Sequence, residues 1–396
     1  VAAGKTIIYD LTLEQNQFLG KDNSLERLSP NAAVNDLNRT AYKYDIAAPF
    51  IAAAYNIDDG VYLGAAVKYT THAFRKEPFS VQQRLSIAHS LETKAYNFRY
   101  ALEGIDVIRN IDLVLLADIR APNNTINFFR YGNETVFDRS DGKNILYYRT
   151  RFSLADFVVL TRFNIASNTT LSLGPFFQRF AMNEKDNKSR LITTPFLNGL
   201  DSISLFKQKN FAGLQVSTIV DNRNSAIIPS RGILWQTTMR VNRGFGSFSR
   251  NCTQLNTDLA LYFSFNTQAN LVIATRFGGG INFGDYEFFQ AQYLSGTENL
   301  RGYRKYRFAG DKAAFNNTEL RIKLADFRTY LLPGNLGIIL FHDIGRVWVK
   351  GENSSTWHTG YGGGFWVSPL RRFVGTACYG FSKDGGLPFV SLGFQF

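Results

Sequence analysis

The chain has 396 residues, of which 15% are aromatic, with only two cysteines and a formal charge of +12. Its longest apolar runs, such as 46–55, are about half the roughly 18 residues that a membrane-spanning helix needs, which excludes a helical membrane protein. Basic residues are scattered through alternating segments, which disfavours a nucleic-acid-binding protein and favours a basic rim facing anionic lipid headgroups or lipopolysaccharide. The alternative is an ordinary solvated surface.

From about residue 45 to the end, one segment after another alternates between apolar and polar side chains. This is the period of a β-strand, in which every second side chain points to the same face. Sixteen strands are predicted, near residues 45–56, 61–72, 80–91, 96–107, 111–121, 145–162, 169–181, 211–221, 231–244, 254–265, 271–283, 316–327, 336–349, 357–368, 374–382 and 387–396.

The alternation predicts strands with one apolar and one polar face. Near the twelfth strand, apolar and charged residues occupy alternate positions: Leu320, Ile322 and Leu324 against Glu319, Arg321 and Lys323. The last strand places four apolar side chains on one face: Val390, Leu392, Phe394 and Phe396. A soluble sandwich would also alternate, but a chain of this length would then divide into domains of about 100 residues, and no such division is visible.

The connections between the predicted strands are of two kinds. Short turns, such as 266–270 and 370–373, alternate with long connections at 122–144, 182–210 and 284–315. An even strand number with long loops at one end is typical of an outer-membrane barrel, because only a closed sheet leaves no free edge in lipid. We therefore predict an all-β fold, a 16-stranded antiparallel transmembrane barrel, with Trp348 and Trp366 in its aromatic girdles.

Two motifs stand in a recognisable order. Leu300-Arg301-Gly302-Tyr303 lies before the twelfth predicted strand, and Phe341-His342-Asp343-Ile344-Gly345 lies on the thirteenth. This order resembles the superfamily of outer-membrane assembly and translocation barrels that includes BamA, TamA and the two-partner secretion transporters, also called bacterial surface antigen barrels. Two further sets of residues resemble its turn after the eighth strand and its C-terminal assembly signal: Asp221, Arg223, Pro229 and Gly232, and Leu392, Phe394 and Phe396.

The resemblance implies that the long loop folds back into the barrel lumen, where its arginine meets the acidic residue of the Phe-x-Asp-x-Gly strand. Alternation agrees, because Phe341, Asp343 and Gly345 share the face opposite the apolar one. We expect a charge-assisted contact between Arg301 and Asp343, with Gly302 allowing the backbone to approach the wall closely. The alternative is that Arg301 is one of many solvated loop arginines.

In these relatives the first and last strands pair weakly, and client strands enter the membrane through the resulting seam by β-augmentation. Here the seam would join 45–56 with 387–396, and Pro388 and Gly393 are consistent with weak pairing. The alternative is that both residues only shape the end of an ordinary barrel. The partners implied are outer-membrane lipid and lipopolysaccharide, client outer-membrane proteins, and periplasmic or lipoprotein accessory subunits.

BamA-type members carry several periplasmic domains before the barrel, whereas we expect 45–396 to be barrel and 1–44 to be an N-terminal lead or the end of an upstream periplasmic domain. The stretch 127–135 resembles loop sequences in barrels of Bacteroidota, some of which follow a metallophosphoesterase domain. Three functions remain: an insertion or translocation factor, a membrane anchor for an upstream enzymatic domain, and a passive channel. The long loop that carries Arg301 should plug the lumen, which disfavours the passive channel.

No catalytic, cofactor or metal site is predicted in the chain. His72, His89, His342 and His358 are dispersed without a metal-ligand spacing, and neither a nucleophile elbow nor a phosphate-binding glycine loop is present. The two cysteines, at 252 and 378, have no spacing signature, so two free thiols are expected, with a disulfide as the alternative.

Overall fold

The computed structural model describes residues 6–14, 16–17, 24–29, 43–73, 76–108, 111–194, 199–296, 298–328 and 333–396. The chain divides into two compact units, Val1–Asp45 and Ile46–Phe396. In the first unit, strand β1 (Thr6–Leu11) pairs in parallel with β2 (Ser24–Ser29). Helices of the length and apolar character needed to cross a membrane do not occur in the described ranges.

The second unit contains sixteen strands that close into one antiparallel barrel. They are β3 Ile46–Asn56, β4 Gly60–Thr71, β5 Val81–Ser90, β6 Tyr96–Ile108, β7 Ile111–Asn127, β8 Arg149–Ala166, β9 Thr169–Ala181, β10 Lys209–Asp221, β11 Gly232–Phe245, β12 Cys252–Ser264, β13 Leu271–Gly284, β16 Lys312–Phe327, β17 Gly334–Trp348, β18 His358–Pro369, β19 Gly375–Ser382 and β20 Gly385–Leu392. A small hairpin of β14 (Gln292–Leu294) and β15 (Phe308–Gly310) lies between β13 and β16. Within the described ranges, the helical segments are α1 (Ile145–Tyr148) and three 3₁₀ turns at Lys185–Asn187, Leu191–Thr193 and Phe288–Gln290.

The predicted 16-stranded barrel is confirmed, and each predicted strand overlaps one barrel strand. The strand predicted from residue 145 is wrong at its start, because Asn144 accepts a hydrogen bond from the backbone N–H of Leu146 (2.9 Å) and begins α1 there. The last strand is also shorter than predicted. It ends at Leu392, because Gly393 adopts a φ of +102°, which turns the backbone out of the extended conformation.

Each strand of the barrel has an apolar outer face and a more polar inner face. On β17, Leu336 and Leu340 are exposed, whereas the alternate residues Ile339, Phe341 and Asp343 are buried. Exposed apolar residues recur on the outer face around the barrel: Leu63, Leu85, Phe157, Phe177, Trp235, Phe277 and Phe365. An apolar exterior of this kind is what a lipid bilayer requires.

The two tryptophans expected in the aromatic girdles lie on different faces of the wall. Trp348, the last residue of β17, is 37% exposed on the outer face. Trp366 is buried on the inner face, where its Nε1 donates to the carbonyl of Ile338 (3.2 Å) and its ring packs against Phe394. The girdle prediction for Trp366 is therefore wrong, because position along a strand does not determine which face a residue occupies.

Heating in detergent should reveal the closed barrel. We expect the folded chain to give a β-rich circular dichroism spectrum and to migrate faster on a gel before boiling than after it, since a closed sheet resists detergent. A boiled sample of the same protein is the control. Equal migration of the two samples, or a spectrum dominated by helix, would contradict the closed barrel.

Candidate functional site at the inner wall and the seam

The Arg-Gly-Tyr motif lies in the long connection between β13 and β16 and is buried. Leu300, Arg301 and Tyr303 expose 0%, 4% and 2% of their surface, respectively. Leu300 and Tyr303 pack with Leu294, Phe308, Ala313 and Val347 in one apolar cluster. The motif is thus held by apolar packing on both sides of its arginine.

Arg301 makes a two-carboxylate contact with the wall. Its Nε and Nη2 donate to Asp343 Oδ2 (2.8 Å) and Oδ1 (2.7 Å), and its backbone N–H donates to the same Oδ2 (2.9 Å). Nη1 donates to Glu319 Oε1 (2.6 Å), and the guanidinium lies 3.8 Å from the ring centre of Phe341. Burial alone would lower the pKa of Arg301, but the hydrogen bonds and charges of Asp343 and Glu319 outweigh it and raise that pKa. Arg301 therefore stays charged.

The ion-pair network continues beyond Arg301 along β16. Glu319 Oε2 accepts from Arg321 Nε (2.9 Å) and Nη2 (2.7 Å). Nη2 of Arg321 also donates to the carbonyl oxygen of Phe396 (2.8 Å), and its guanidinium lies 3.9 Å from the ring centre of Phe394. One chain of charged contacts thus connects the loop motif with the residues that follow the last strand.

Glycines let the loop backbone lie directly against the wall. Gly302 has a φ of +94°, and a Cβ on it would lie 2.6 Å from the carbonyl oxygen of Phe381. A Cβ on Gly360 of β18 would lie 1.8 Å from the carbonyl oxygen of Arg301. Ser382 Oγ donates to the carbonyl of Gly302 (2.6 Å). At both positions a larger side chain would displace the motif.

The basic residues after the motif contact the tip of the first hairpin of the barrel. Arg304 Nη1 donates to Asp58 Oδ1 (3.1 Å), and Lys305 Nζ donates to Asp59 Oδ2 (3.1 Å). Burial alone would lower the pKa of Lys305, but the charge of Asp59 outweighs it and raises that pKa. Asp58 and Asp59 connect β3 to β4, so these contacts hold the loop against the first two strands.

Arg307 contacts the last hairpin of the barrel in the same way. Its Nε donates to Asp384 Oδ2 (2.5 Å), and Asp384 connects β19 to β20. Arg307 also donates to the hydroxyl (2.9 Å) and carbonyl (2.7 Å) of Thr135 in the connection between β7 and β8. The basic run 301–307 therefore has carboxylate partners on the hairpins at both sides of the junction between β20 and β3.

That junction is the weakest in the barrel. β20 meets β3 at one residue pair, Val390 with Tyr55. By contrast, β3 pairs with β4 over all of its residues, and β20 pairs with β19 over its full length. We call the junction of β3 and β20 the seam. Both strands leave backbone groups at the seam without a ladder partner, which is the condition for adding another strand.

The C-terminal residues 393–396 do not continue along the outer face. Phe394 packs edge to face on Trp366 with ring centres 5.7 Å apart, and the ring centre of Phe396 lies 6.4 Å from that of Tyr262 of β12. Gln395 Nε2 donates to the carbonyl of Glu298 in the long loop. Of the three residues in the predicted C-terminal signal, only Leu392 remains in a strand, where it is 53% exposed.

The predicted turn motif forms a compact unit between β10 and β11. Arg223 donates from Nε and Nη2 to Asp221 Oδ1 (2.9 Å) and Oδ2 (2.7 Å). Gly232 has a φ of +109°, and a Cβ there would lie 2.5 Å from the carbonyl oxygen of Asn222. Pro229 lines a cavity of about 320 Å³ together with Phe394 and Phe396. The turn thus borders the same C-terminal residues as Arg321.

Outside the long loop, five charged residues of this site were not singled out from the sequence: Asp58, Asp59, Glu319, Arg321 and Asp384. The alternation does place Glu319 and Arg321 on the polar face of a strand, and β16 pairs with the strand of Asp343. That pairing is the signal that could have identified them. In the described parts of the chain no cluster of three or more His, Cys, Asp or Glu could hold a metal ion, and both cysteines are free thiols.

The Omp85 superfamily domain matches residues 26–396 of this chain. The structure is similar to BamA from Haemophilus ducreyi lacking POTRA domains 1–3, with a TM-score of 0.64 and 11% identity over 94% of this chain and 73% of that one. It is also similar to CdiB from Acinetobacter baumannii, with a TM-score of 0.53 and 14% identity over 88% of this chain and 59% of that one. It is similar as well to CdiB from Escherichia coli, with a TM-score of 0.53 and 10% identity over 87% of this chain and 61% of that one. No curated protein sequence matches the chain.

Proposed function

Because this chain belongs to the Omp85 superfamily and is an outer-membrane β-barrel, we propose that it inserts or translocates client proteins through the seam between β3 and β20. The observation that carries the proposal is the single Val390–Tyr55 pair at this junction. A client strand that pairs with the free edge of β3 or β20 satisfies backbone groups that lipid would leave unpaired. Client outer-membrane proteins and periplasmic or lipoprotein accessory subunits are its proposed partners.

We propose that the loop segment 294–308 folds back into the barrel lumen and braces the seam. Three sets of contacts support this: Arg301 with inner-face carboxylates of β16 and β17, Arg304 and Lys305 with the first hairpin, and Arg307 with the last. The loop therefore bridges the two hairpins that must separate for a client to enter. Releasing the contacts with the first hairpin, or those with the last hairpin, would free one side of the seam.

Client folding in vesicles tests the proposed function. We expect phospholipid vesicles that contain the chain to speed the folding of an unfolded outer-membrane barrel several-fold, measured by gel mobility without boiling. The control vesicles contain the same amount of a porin barrel whose strands are fully paired. Equal rates in the two preparations would contradict insertion.

Equal rates would instead favour the second candidate, a membrane anchor for an upstream enzymatic domain. The observation that favours an anchor is the stretch 127–135, which resembles loop sequences in barrels of Bacteroidota, some of which follow a metallophosphoesterase domain. In either case we propose that 45–396 is the barrel and that 1–44 is an N-terminal lead or the end of a periplasmic domain. The chain itself is proposed to have no enzymatic activity.

Conductance across a planar bilayer tests the proposed plug. We expect the intact chain to conduct weakly, and a variant with residues 299–307 replaced by a Gly-Ser linker of equal length to conduct several-fold more, because the segment no longer fills the lumen. The matched control replaces residues 350–356, in the connection between β17 and β18, with the same type of linker. A large, steady conductance of the intact chain would indicate a passive channel.

A further inference from the structure

The outer face of the barrel wall carries basic residues among its described strands. They are Arg179, Arg243, Lys312 and Arg346, and their register partners on neighbouring strands also face outward. All four lie at or near the strand ends on the side of the long connections. Strand carboxylates such as Asp118, Asp156 and Glu319 instead lie on the inner face, where they pair with arginines. The outer rim is therefore basic on one side of the membrane.

Lys312 and Arg346 form the tightest pair in this rim. Lys312 lies opposite Trp348, and Ala314 lies opposite Arg346, so the two cations are diagonal neighbours on adjacent strands. Diagonal neighbours have Cα atoms roughly 7 to 8 Å apart, so two long basic side chains can contact one anion. Lys312 is exposed and makes no ion pair with any described residue.

Two tryptophans frame these cations. The Arg346 guanidinium lies 4.6 Å from the ring centre of Trp348 and 5.6 Å from that of Trp357, and the two rings meet edge to face at 89°. Trp348 and Trp357 are 37% and 45% exposed. Arg346 Nη2 donates to the carbonyl of Ser354, but its Nε is buried and has no hydrogen-bond partner among the described residues. Because a buried nitrogen cannot reach a ligand, the donor left for one is Nη1, which makes no hydrogen bond to a described residue.

Asp311, the neighbour of Lys312 in sequence, forms no ion pair with Lys312 or Arg346 among the described contacts. Asp311 precedes Lys312, but its Oδ1 accepts from the hydroxyl of Tyr286 (2.5 Å) and its Oδ2 accepts from the backbone N–H of Lys350 (2.8 Å). Towards the middle of the wall the outer face is apolar, with Phe277 and Leu340 exposed. Trp348 lies level with Lys312, and Arg346 lies one outward-facing position closer to the middle of the wall. The cations, the exposed indole rings and the apolar surface therefore adjoin one another, as phosphate, sugar and acyl chains do in a phosphorylated glycolipid.

We propose that Lys312, Arg346, Trp348 and Trp357 form a binding site for the phosphorylated glycolipid of the outer leaflet, lipopolysaccharide. Lys312 and Arg346 bind a phosphate of its lipid A, the indole rings contact the sugar, and the acyl chains lie along the apolar wall. The inference rests on the location of the barrel in the outer membrane, and it is independent of client insertion. In barrels of this type the long loops face the cell exterior, which places the site in that leaflet.

Lipid A binding to the folded chain in detergent micelles tests the site, with bound lipid counted by native mass spectrometry. We expect the Lys312→Gln, Arg346→Gln double variant to lose roughly tenfold or more in affinity, since each surface cation contributes about 1 kcal/mol towards an anionic headgroup. The matched control is Lys68→Gln with Arg84→Gln. These two cations face each other on β4 and β5 but lie on the inner face, so affinity should be unchanged.

Lys312→Glu provides a second variant in case Arg346→Gln folds poorly, because the Lys312 side chain has no described hydrogen bond to lose. It should reduce lipid A binding at least as much as Lys312→Gln does. Equal binding by Lys312→Glu and the unmodified chain would overturn the site. Phosphatidylcholine that competed with lipid A as well as lipid A itself would also overturn it, since binding would then be apolar contact only. Equal competition by inorganic phosphate would overturn it too, since the site would then bind phosphate without lipid. Client folding in vesicles that lack lipid A tests insertion separately.

Discussion

Replacing Arg301 by alanine should lower the free energy of unfolding of the barrel by roughly 3 to 5 kcal/mol, the usual cost of leaving buried carboxylates without their partner. Asp343 and Glu319 expose 0% of their side chains, so neither can recover its hydrogen bonds from bulk water. Asp343→Ala should lower the free energy of unfolding by less than Arg301→Ala does, because Arg301 would still contact Glu319. Urea titration of the protein in detergent, with gel mobility as the readout, measures both losses.

The double variant Arg301→Ala, Asp343→Ala should lose clearly less than the sum of the two single losses, with a coupling of at least about 1 kcal/mol. Arg301→Lys should recover little, because an ammonium cannot form the two parallel bonds that the guanidinium makes with Asp343. Arg84→Ala, an exposed inner-face cation with no described ion pair, is the matched control and should change stability by no more than about 0.5 kcal/mol. Strictly additive losses would mean that Arg301 and Asp343 do not meet.

Locking the seam should abolish client insertion. We expect a chain with Tyr55→Cys and Val390→Cys, once oxidised, to fold clients no faster than vesicles without the chain, because a disulfide between directly opposed strand residues prevents their separation. Reduction should restore the rate. Cys378→Ala in the background removes the free thiol of the neighbouring strand β19.

The control for the seam lock shares one of its two cysteines. Val390 also lies opposite Ala377 on β19, where the strands pair throughout. Oxidised Ala377→Cys, Val390→Cys protein should therefore insert clients at the unmodified rate, because this junction has no need to open. Full activity of the oxidised Tyr55–Val390 variant would show that clients do not pass through the seam.

The sequence was sufficient for the number of strands and their two faces, because period-two alternation follows directly from strand geometry. It could not show where the last strand ends. Phe394 and Phe396 continue the alternation of Val390 and Leu392, and only the positive φ of Gly393 removes them from the strand. Pattern alone does not distinguish an outer-face phenylalanine from one that packs on Arg321.

The partners of the loop were predictable in part. The Arg301–Asp343 contact was expected only from the resemblance to a family, since 42 positions separate the two residues. Asp58 and Asp384 were not expected to contact the loop, because an aspartate in a hairpin turn is ordinary on sequence grounds. Their role arises from the closure of the barrel, which brings the first and last hairpins together beside the loop.

The single Val390–Tyr55 pair means that backbone hydrogen bonding contributes little to the barrier against opening the proposed seam. Most of that barrier would then come from three ionic contacts that hold the two hairpins to the loop. They are Arg304 with Asp58, Lys305 with Asp59, and Arg307 with Asp384. Raising the salt concentration from 0.1 M to 1 M shortens the Debye length from about 10 Å to about 3 Å and weakens the partly exposed pairs among them. The ionic strength would then control how often the seam opens, while the fully paired remainder of the wall would hardly respond.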